Sequence, residues 1–447
     1  MQQTVFTKQF FNKQLLFIVL LYTARLLYCY AGYLKNYCWL DVGDESHIYL
    51  LGLNYYTTSN FPIWGPDVVY TNSHMAGGLQ GLLIGGPLFI WHNPFAPYLF
   101  LFILESVSLI YLSRYVSRLF PKMPAWIIYS IIAFAPFAVH TGLKIINPAY
   151  VLVLSVPFTL SVMESLEVFE KKMIKPEWRF FWMGLGVASV FQLHPSYVIM
   201  VLLWGITMLY VLSKNIKSAS TWFKAIVFSL TGFAIAFSAA IPAISQNGIG
   251  VLFQQGRNID FNLNHVTDIG SVLFYFATLC GYEMNTFSPI YTWNSLWTNL
   301  SKPAALLFGI LQITGFLVFA FQLIIFFLKG IKIYMAKHRR FLITIVLIIA
   351  GLGISYTFSF VRPGAHALII FFPLSVIYMC FCLQFLIEKG FLKTKYIAVF
   401  FSLITLYYFS VTIVTTMLPD LGYREKAIKA IQNKKSALFE QPRAVKN

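Results

Sequence analysis

Three carboxylates, Asp41, Asp44 and Glu45, lie within five residues of one another in the stretch WLDVGDESHIYLLGLNYY. Carboxylates grouped in this way can take a proton from a hydroxyl or bind a cation. They follow the first long apolar run of the chain, so they are expected at a membrane boundary, where such groups can face a cavity. A solvated acidic patch is the alternative interpretation of the same charges.

The composition around these carboxylates is that of a membrane protein. Of the 447 residues, 58% are hydrophobic and only 11% are charged, against roughly 25% charged in an average soluble domain. Apolar runs of about twenty residues, the length that crosses a ~30 Å hydrocarbon core, recur along the chain. The sequence therefore predicts an all-α fold, one transmembrane domain over residues 1–447. Its expected spans number about eleven: residues 15–32, 96–112, 124–141, 148–166, 180–193, 196–213, 224–243, 303–328, 341–360, 366–387 and 396–417.

The positive charges indicate how the chain is oriented. The formal net charge of +17 comes from clusters of Lys and Arg in alternate connections between the apolar runs, which is the pattern of cytoplasmic loops. Nucleic-acid binding is therefore not expected. The rule places the N-terminus inside and the long connections 33–95 and 244–302 outside, in a multi-pass protein of the cell (inner or plasma) membrane. The odd number of spans places the short basic tail, residues 418–447, outside.

The first long connection contains two segments that read as helices lying at the membrane surface, residues 45–59 and 77–91. The second has only about fifteen residues and contains Pro87, so it is too short to be a span. Gly77, Gly81 and Gly85 repeat every four residues, so one face of this helix allows another backbone to come close. This face covers a cavity in one interpretation and packs in the ordinary way in the other.

The order of these features resembles the GT-C superfamily of membrane glycosyltransferases. The likeness is closest to the protein-mannosyltransferase-like branch, which includes lipid A aminoarabinose transferases. In that branch an Asp-Glu pair commonly opens the first extracytoplasmic loop, and two helices separated by a loop precede the second span. Here Asp44-Glu45, the helix 45–59, the loop 62–72 and the helix 77–91 follow in that order.

A second likeness to the same branch lies late in the chain, where residues 362–366 (RPGAH) precede an apolar span that contains FFP at 371–373. Relatives often carry a basic or aromatic residue before a late span that contains a proline. The chain also departs from the family. Many relatives have a Lys-Pro-Pro-like motif at the second surface helix, whereas this segment reads GGLQGLLIGGPL.

The resemblance implies an inverting transfer of a sugar from a polyprenyl-phosphate-linked donor to an envelope acceptor, which is a lipid, glycan or protein. Membrane lipid is the other expected partner. Such a reaction needs a carboxylate as general base and cations that stabilise the departing phosphate. Asp44 is the candidate base, and Glu45 orients the acceptor or tunes Asp44. Because Arg binds phosphate through two nitrogens at once, the candidate phosphate ligands are ranked Arg362, then Arg257, then Lys144.

Other polar residues are candidates for the same site. Glu105 lies inside an apolar span, so it either faces a cavity or is paired, or it lies close to the interface. Arg25, late in the first span, either pairs with an acidic residue or extends to the interface. Further candidates for substrate binding are His74, His194 and His366.

A divalent metal on Asp41 and Asp44, with Glu45 and His47, stays an alternative, and no other cofactor is predicted.

Two other functions remain open from the sequence. An O-antigen polymerase or ligase generally has a late external loop with Arg and His, as Arg257 and His265 supply here. The early acidic pair argues against it. A transporter or flippase often shows internal repeats and polar groups near the middle of the membrane. No repeat is evident in this sequence, and its main polar cluster lies at one face.

Overall fold

The apolar runs of this chain form helices because a helix pairs its own backbone N–H and C=O groups inside a hydrocarbon layer. In the computed structural model the chain is mostly helical. The structure describes residues 2–34, 44–68, 73–143, 145–250, 252, 262–263, 265, 269–279, 330–357 and 369–417, together with residues 306, 310, 313–314, 316–318, 320–322 and 324.

The described helices follow one another with short connections in most places. In chain order they are α1 (Gln2–Leu34), α2 (Asp44–Thr58), α3 (Leu79–Ile90), α4 (Ala96–Leu119), α5 (Ala125–Ala133), α6 (Pro136–Leu143), α7 (Asn147–Ser165), α8 (Pro176–Leu193), α9 (Tyr197–Lys214), α10 (Ala219–Phe237), α11 (Ile241–Asn247), α12 (Ile269–Thr278), α13 (Gly330–Thr357), α14 (Phe372–Glu388) and α15 (Thr394–Met417). Strands β1 (Trp64–Val68) and β2 (Ser73–Ala76) form an antiparallel hairpin between α2 and α3.

Among the described residues, five segments are long and apolar enough to cross a membrane, which is the architecture of an all-α membrane protein. They are Lys13–Tyr30, Ala96–Leu119, Tyr197–Lys214, Ala219–Asn247 and Ile369–Glu388. Shorter apolar helices cover Leu79–Ile90, Ala149–Ser165 and Thr394–Tyr407. The structure thus confirms membrane-spanning helices as a class. It does not confirm the count of about eleven spans, which stays a prediction.

The centre of the bundle is α7, which packs against α4, α6, α8 and α14. Tyr150, Leu152 and Phe158 on α7 are almost completely buried. In contrast, α9 and α10 lie at the periphery, and Leu209 and Phe223 on them expose about two thirds of their surface (70% and 67%). Apolar side chains exposed along such helices contact lipid, because a protein in a membrane needs no polar covering at that depth.

Two local features differ from the predicted elements. The segment 124–141, predicted as one span, is divided into α5 and α6, because Pro136 lacks a backbone N–H and begins a new helix. The segment 62–72, predicted as a loop, contributes to the β-hairpin, in which Trp64 pairs with Ala76 and Asp67 with His74. The two helices predicted on either side of it, 45–59 and 77–91, are present as α2 and α3.

Glycines bring α2 and α3 into backbone contact, as the repeat in the sequence predicts. A Cβ atom added at Gly85 would lie 2.6 Å from the carbonyl oxygen of Gly52, and one added at Gly52 would overlap Ile84. A Cβ at Gly81 would lie 2.7 Å from Cβ of Pro62, in the segment before β1. Gly86, on another face of α3, has no atom within 4 Å of its added Cβ. The close approach is therefore confined to one face of α3.

This packing predicts a difference between two neighbouring glycines. Gly85→Ala should lower the free energy of unfolding by about 1–3 kcal/mol, because overpacking forces the two backbones apart. Gly86→Ala should be neutral or slightly stabilising, since alanine favours a helix more than glycine does. Thermal unfolding of the purified full chain in detergent measures both changes. Equal destabilisation by the two substitutions would contradict the α2–α3 contact.

Candidate functional site

The hairpin and α2 bring together one carboxylate and two histidines. Asp67 and His74 are direct cross-strand partners, so their side chains project from the same face of the hairpin. His74 Nδ1 lies 2.5 Å from Asp67 Oδ1, and His47 Nε2, in the first turns of α2, lies 3.1 Å from the same oxygen. The ring of Trp64 lies beside that of His74, with 5.8 Å between centroids. We call Asp67, His47 and His74 the Asp-His-His cluster.

The electrostatics of the Asp-His-His cluster favour an ionised Asp67. Partial burial alone would raise the pKa of Asp67, but the hydrogen bonds and charges of His47 and His74 outweigh burial. They hold this pKa well below its ordinary value of 3.8. A carboxylate that is ionised over the whole neutral range stabilises a nearby positive charge or accepts a hydrogen bond.

The predicted acidic pair lies at the start of the same helix. Asp44 and Glu45 are the first two residues of α2, and acidic residues favour a helix N-terminus because the backbone N–H groups there are unpaired. Asp44 precedes His47 by three residues, a spacing that places both positions on one face of α2. The side chains of Asp44 and Glu45, and the whole of Asp41, lie outside the described residues.

Hydrogen bonds attach this outer layer of α2, α3 and the hairpin to the helices of the bundle. The backbone N–H of Gly78 donates to the carbonyl of Ala239, 2.9 Å away, in the turn after α10. The hydroxyl of Tyr49 on α2 donates to the carbonyl of Pro94, 3.0 Å away and just before α4. These two hydrogen bonds therefore anchor the layer to the end of α10 and to the start of α4.

Two buried amides lie in this region without all their hydrogen-bond partners. Gln80, at the start of α3, is completely buried, and neither its Nε2 nor its Oε1 atom has a partner among the described residues. Gln192 Nε2 donates to the carbonyls of Ala188 and Ala236, while its Oε1 has no partner in the same part of the chain. A Cβ at Gly77, whose φ is +120°, would overlap the Gln192 side chain.

Sequence reasoning did not single out either glutamine. Each is a polar residue in an otherwise apolar helix, and the sequence alone shows this. Because buried polar groups without partners are rare, such a residue indicates a specific role. Asp67 was also missed. Only the fold of the hairpin shows that it meets His47, twenty positions earlier in the chain.

Inside the bundle, the structure pairs Glu105 with Arg25. Arg25 Nη2 on α1 lies 2.6 Å from Glu105 Oε2 on α4, and it donates to the carbonyl of Ala138 on α6, 2.5 Å away. Thr141 on α6 donates its hydroxyl to Glu105 Oε1 at 2.6 Å. Arg25, Glu105 and Thr141 are completely buried. Pairing was one of the alternatives that the sequence offered for each of the two charged residues.

The structure brings few of the other predicted residues together. His194 follows α8 and has its Nδ1 2.7 Å from Ser196 Oγ, where it caps the turn into α9. His74 is half-exposed in the Asp-His-His cluster. Lys144, Arg257, Arg362 and His366 lie outside the described residues. Within the described ranges, no group of three His, Cys, Asp or Glu residues has the arrangement of a metal site.

No protein-family model, curated protein or solved structure matches this chain. The described site contains a carboxylate that stays ionised at neutral pH and two histidines. It lies beside a helix that begins with two acidic residues. Both belong to a layer that is hydrogen-bonded to the ends of membrane helices.

The low pKa of Asp67 predicts how the hairpin responds to acid. Because this pKa is lower in the folded protein than the ordinary value of 3.8, the carboxylate stabilises the cluster above pH 3.8. This stabilisation is lost as the pH falls through the lower, folded-state value. Asp67→Asn should remove about 1–2 kcal/mol of local stability already at neutral pH. Amide hydrogen exchange at residues 73–76 should then be roughly tenfold faster.

Hydrogen exchange in α14, which packs against α4, α5, α7 and α12, is the internal control for this experiment. Unchanged exchange at residues 73–76 in Asp67→Asn would show that the hairpin does not depend on the cluster.

The Arg25–Glu105 pair predicts a large effect on stability. Glu105→Gln should lower the free energy of unfolding by about 3–5 kcal/mol, because it leaves the Arg25 charge buried without a counter-charge. Glu388→Gln removes an exposed pair with Lys122 (3.1 Å) and should cost about 0–1 kcal/mol. Replacing both partners by apolar residues, Arg25→Met with Glu105→Leu, should recover most of the loss. Thermal unfolding in detergent compares the three, and similar values for the two single variants would argue against the pair.

Proposed function

We propose that this chain is a membrane glycosyltransferase that moves a sugar from a polyprenyl-phosphate-linked donor to an envelope acceptor on the extracytoplasmic face. The observation that carries the proposal is the position of the acidic pair. Asp44 and Glu45 open α2 shortly after the first candidate span, and the Asp67–His47 contact closes the hairpin over the same end of α2. A general base at the end of a membrane helix can reach an acceptor hydroxyl while the donor stays in the lipid.

The proposal includes the predicted topology. About eleven spans, an interior N-terminus and the connections 33–95 and 244–302 on the outer side would place Asp44 and the hairpin on the face where a lipid carries the sugar. The alternation of basic connections supports this arrangement. Labelling of single cysteines at positions 72 and 258 by an impermeant reagent from the outer side tests it, and labelling of both only from the inside would reverse it.

The proposed reaction is a single displacement. Asp44 takes the proton of the acceptor hydroxyl as that oxygen forms a bond to the anomeric carbon of the sugar. The bond from that carbon to the phosphate oxygen breaks at the same time, and the electron pair leaves with the polyprenyl phosphate. Attack opposite the leaving group inverts the anomeric carbon. Arg362 holds the phosphate through two nitrogens, which stabilises the negative charge that develops there.

The other residues have supporting roles in the proposal. Glu45 orients the acceptor or tunes Asp44. The further contacts to substrate come from Arg257, Lys144, His366, His194 and His74. Glu105 is assigned to the packing of α1 against α4 and α6, since its two oxygens are already engaged by Arg25 and Thr141.

The general-base assignment predicts a specific loss of turnover. Asp44→Asn keeps the shape of the side chain and removes the base, so transfer should fall by roughly 10²–10⁴-fold in a folded protein. Asp41→Asn, three residues earlier, is the matched control and should have a smaller effect. Arg362→Ala should weaken donor use, and Arg362→Lys should restore only part of it, because lysine cannot bind phosphate through two nitrogens. The assay follows release of polyprenyl phosphate from a labelled lipid donor.

The outcomes separate the competing functions. If Asp44→Asn retains normal transfer and Asp41→Asn loses it, the general base is Asp41 and not Asp44. If neither substitution matters, the glycosyltransferase proposal loses its main support. Movement of the lipid-linked sugar between leaflets of protein-containing liposomes, without transfer, would favour a flippase instead.

A further inference from the structure

A polar cavity of about 290 Å³ lies between the start of α8, the end of α9 and the start of α10. It is at the opposite end of α10 from the turn that contacts Gly78. Its walls carry one carboxylate, Glu167, and four hydroxyl side chains: Ser165, Tyr210, Ser220 and Thr221. They also carry four cationic side chains, so positive charge is in excess: Lys172, Arg179, Lys214 and Lys224.

The single carboxylate is already shared by several cations. Glu167 Oε1 lies 2.9 Å from Lys172 Nζ, and Glu167 Oε2 contacts Lys214 Nζ and lies 3.4 Å from Arg340 Nη1. Its hydrogen bonds to Lys214 and Lys172 lower the pKa of Glu167 to about 2. Glu167 is therefore ionised at neutral pH, and it balances only part of the charge around it. Lys224 forms a separate pair with Glu177, 2.6 Å away outside the cavity lining.

Arg179 is the strongest sign that the cavity binds an anion. Its side chain is only 8% exposed, and Nη1 donates to the backbone carbonyl of Glu164 at 3.2 Å. Its Nε has no hydrogen-bond partner in the described part of the chain. A buried guanidinium is costly unless it is paired and its donors are satisfied. The carboxylates of Glu164, Glu167 and Glu177 already provide negative charge near Arg179. An anion in the cavity would add the acceptor that Nε lacks in the described part of the chain.

The position of the cavity indicates which anion it is. Lys214 and the start of α10 at Ala219 are the ends of two of the candidate spans, so the cavity lies at the depth of lipid headgroups. Ser220 and Thr221 are in the first turn of α10, where the helix dipole favours negative charge. The lipid-facing surface begins beside it, since Ile216 is 73% exposed and Phe223 67% exposed.

We propose that this cavity binds the phosphate-bearing headgroup of an anionic membrane lipid. Its volume is near the lower end of the roughly 300–1,000 Å³ of small-molecule sites, so it admits a headgroup while the acyl chains lie along α9 and α10. The basic connections predict that this end is cytoplasmic, and the cytoplasmic leaflet is the one that carries anionic lipids. This inference does not depend on the proposed glycosyltransferase activity.

The test measures lipid binding to the purified full chain in detergent. The probes are phosphatidylglycerol, phosphatidylcholine and inorganic phosphate, and native mass spectrometry reports the lipid retained at increasing concentration. Phosphatidylglycerol should bind most tightly. Arg179→Gln and Lys214→Gln should each weaken its binding about tenfold, the scale of one lost charge-assisted hydrogen bond. Lys217→Gln is the matched control, because Lys217 lies in the same α9–α10 turn but does not line the cavity.

Lys214 is about half-exposed, so Lys214→Gln should fold even if the buried Arg179→Gln does not. Elution as a single species without lipid verifies folding of each variant. Equal weakening by Lys217→Gln would show general attraction to a basic surface and overturn the proposal. Displacement of the lipid by inorganic phosphate at the same concentration would assign the cavity to a soluble phosphate compound and overturn its assignment to lipid.

Discussion

A charge inside hydrocarbon must be neutralised where it lies, and the Arg25–Glu105 pair meets this requirement by joining three helices. The pair connects α1 to α4, and the bonds to Ala138 and Thr141 add α6. A buried ion pair contributes little stability beyond that of apolar packing, and we infer that its role here is to set the register between its helices. The outer layer, which consists of α2, the hairpin and α3, connects α1 to α4 along the chain. The ion pair therefore also fixes the two helices from which this layer extends.

The outer layer is held by different interactions, because the side chains of its polar cluster are partly exposed. Glycine faces let the backbones of α2 and α3 touch, and the Asp-His-His cluster ties the hairpin to the start of α2. Polar groups cost little free energy here because partial hydration screens their charges. The layer thus combines a rigid backbone contact with an ionised, partly accessible cluster.

Much of the fold follows from the sequence, because length and apolar content determine membrane helices more strongly than any local signal does. The membrane-spanning helices were predicted for this reason, whereas the glycine face of α3 was predicted from the four-residue spacing of Gly77, Gly81 and Gly85. The hairpin was not, since the strand WGPDV contains both Gly and Pro, which usually argue against a strand. Pro136 itself indicated the break between α5 and α6. The continuous apolar run around it nevertheless led to the prediction of a single span.

The site was less predictable than the fold. Asp67 meets His47 only because the hairpin turns back on α2, and no spacing in the sequence indicates this. The basic residues of two separate connections were predicted only as cytoplasmic charges. They line one cavity because α8 packs tightly against α10, so the start of α8 lies beside the α9–α10 turn. Gly142 lies directly against the central ion pair. A Cβ there would lie 2.7 Å from Arg25 Nη2 and 2.8 Å from Glu105 Oε2. A larger residue at position 142 is therefore compatible with this pair only if the ends of the two charged side chains move.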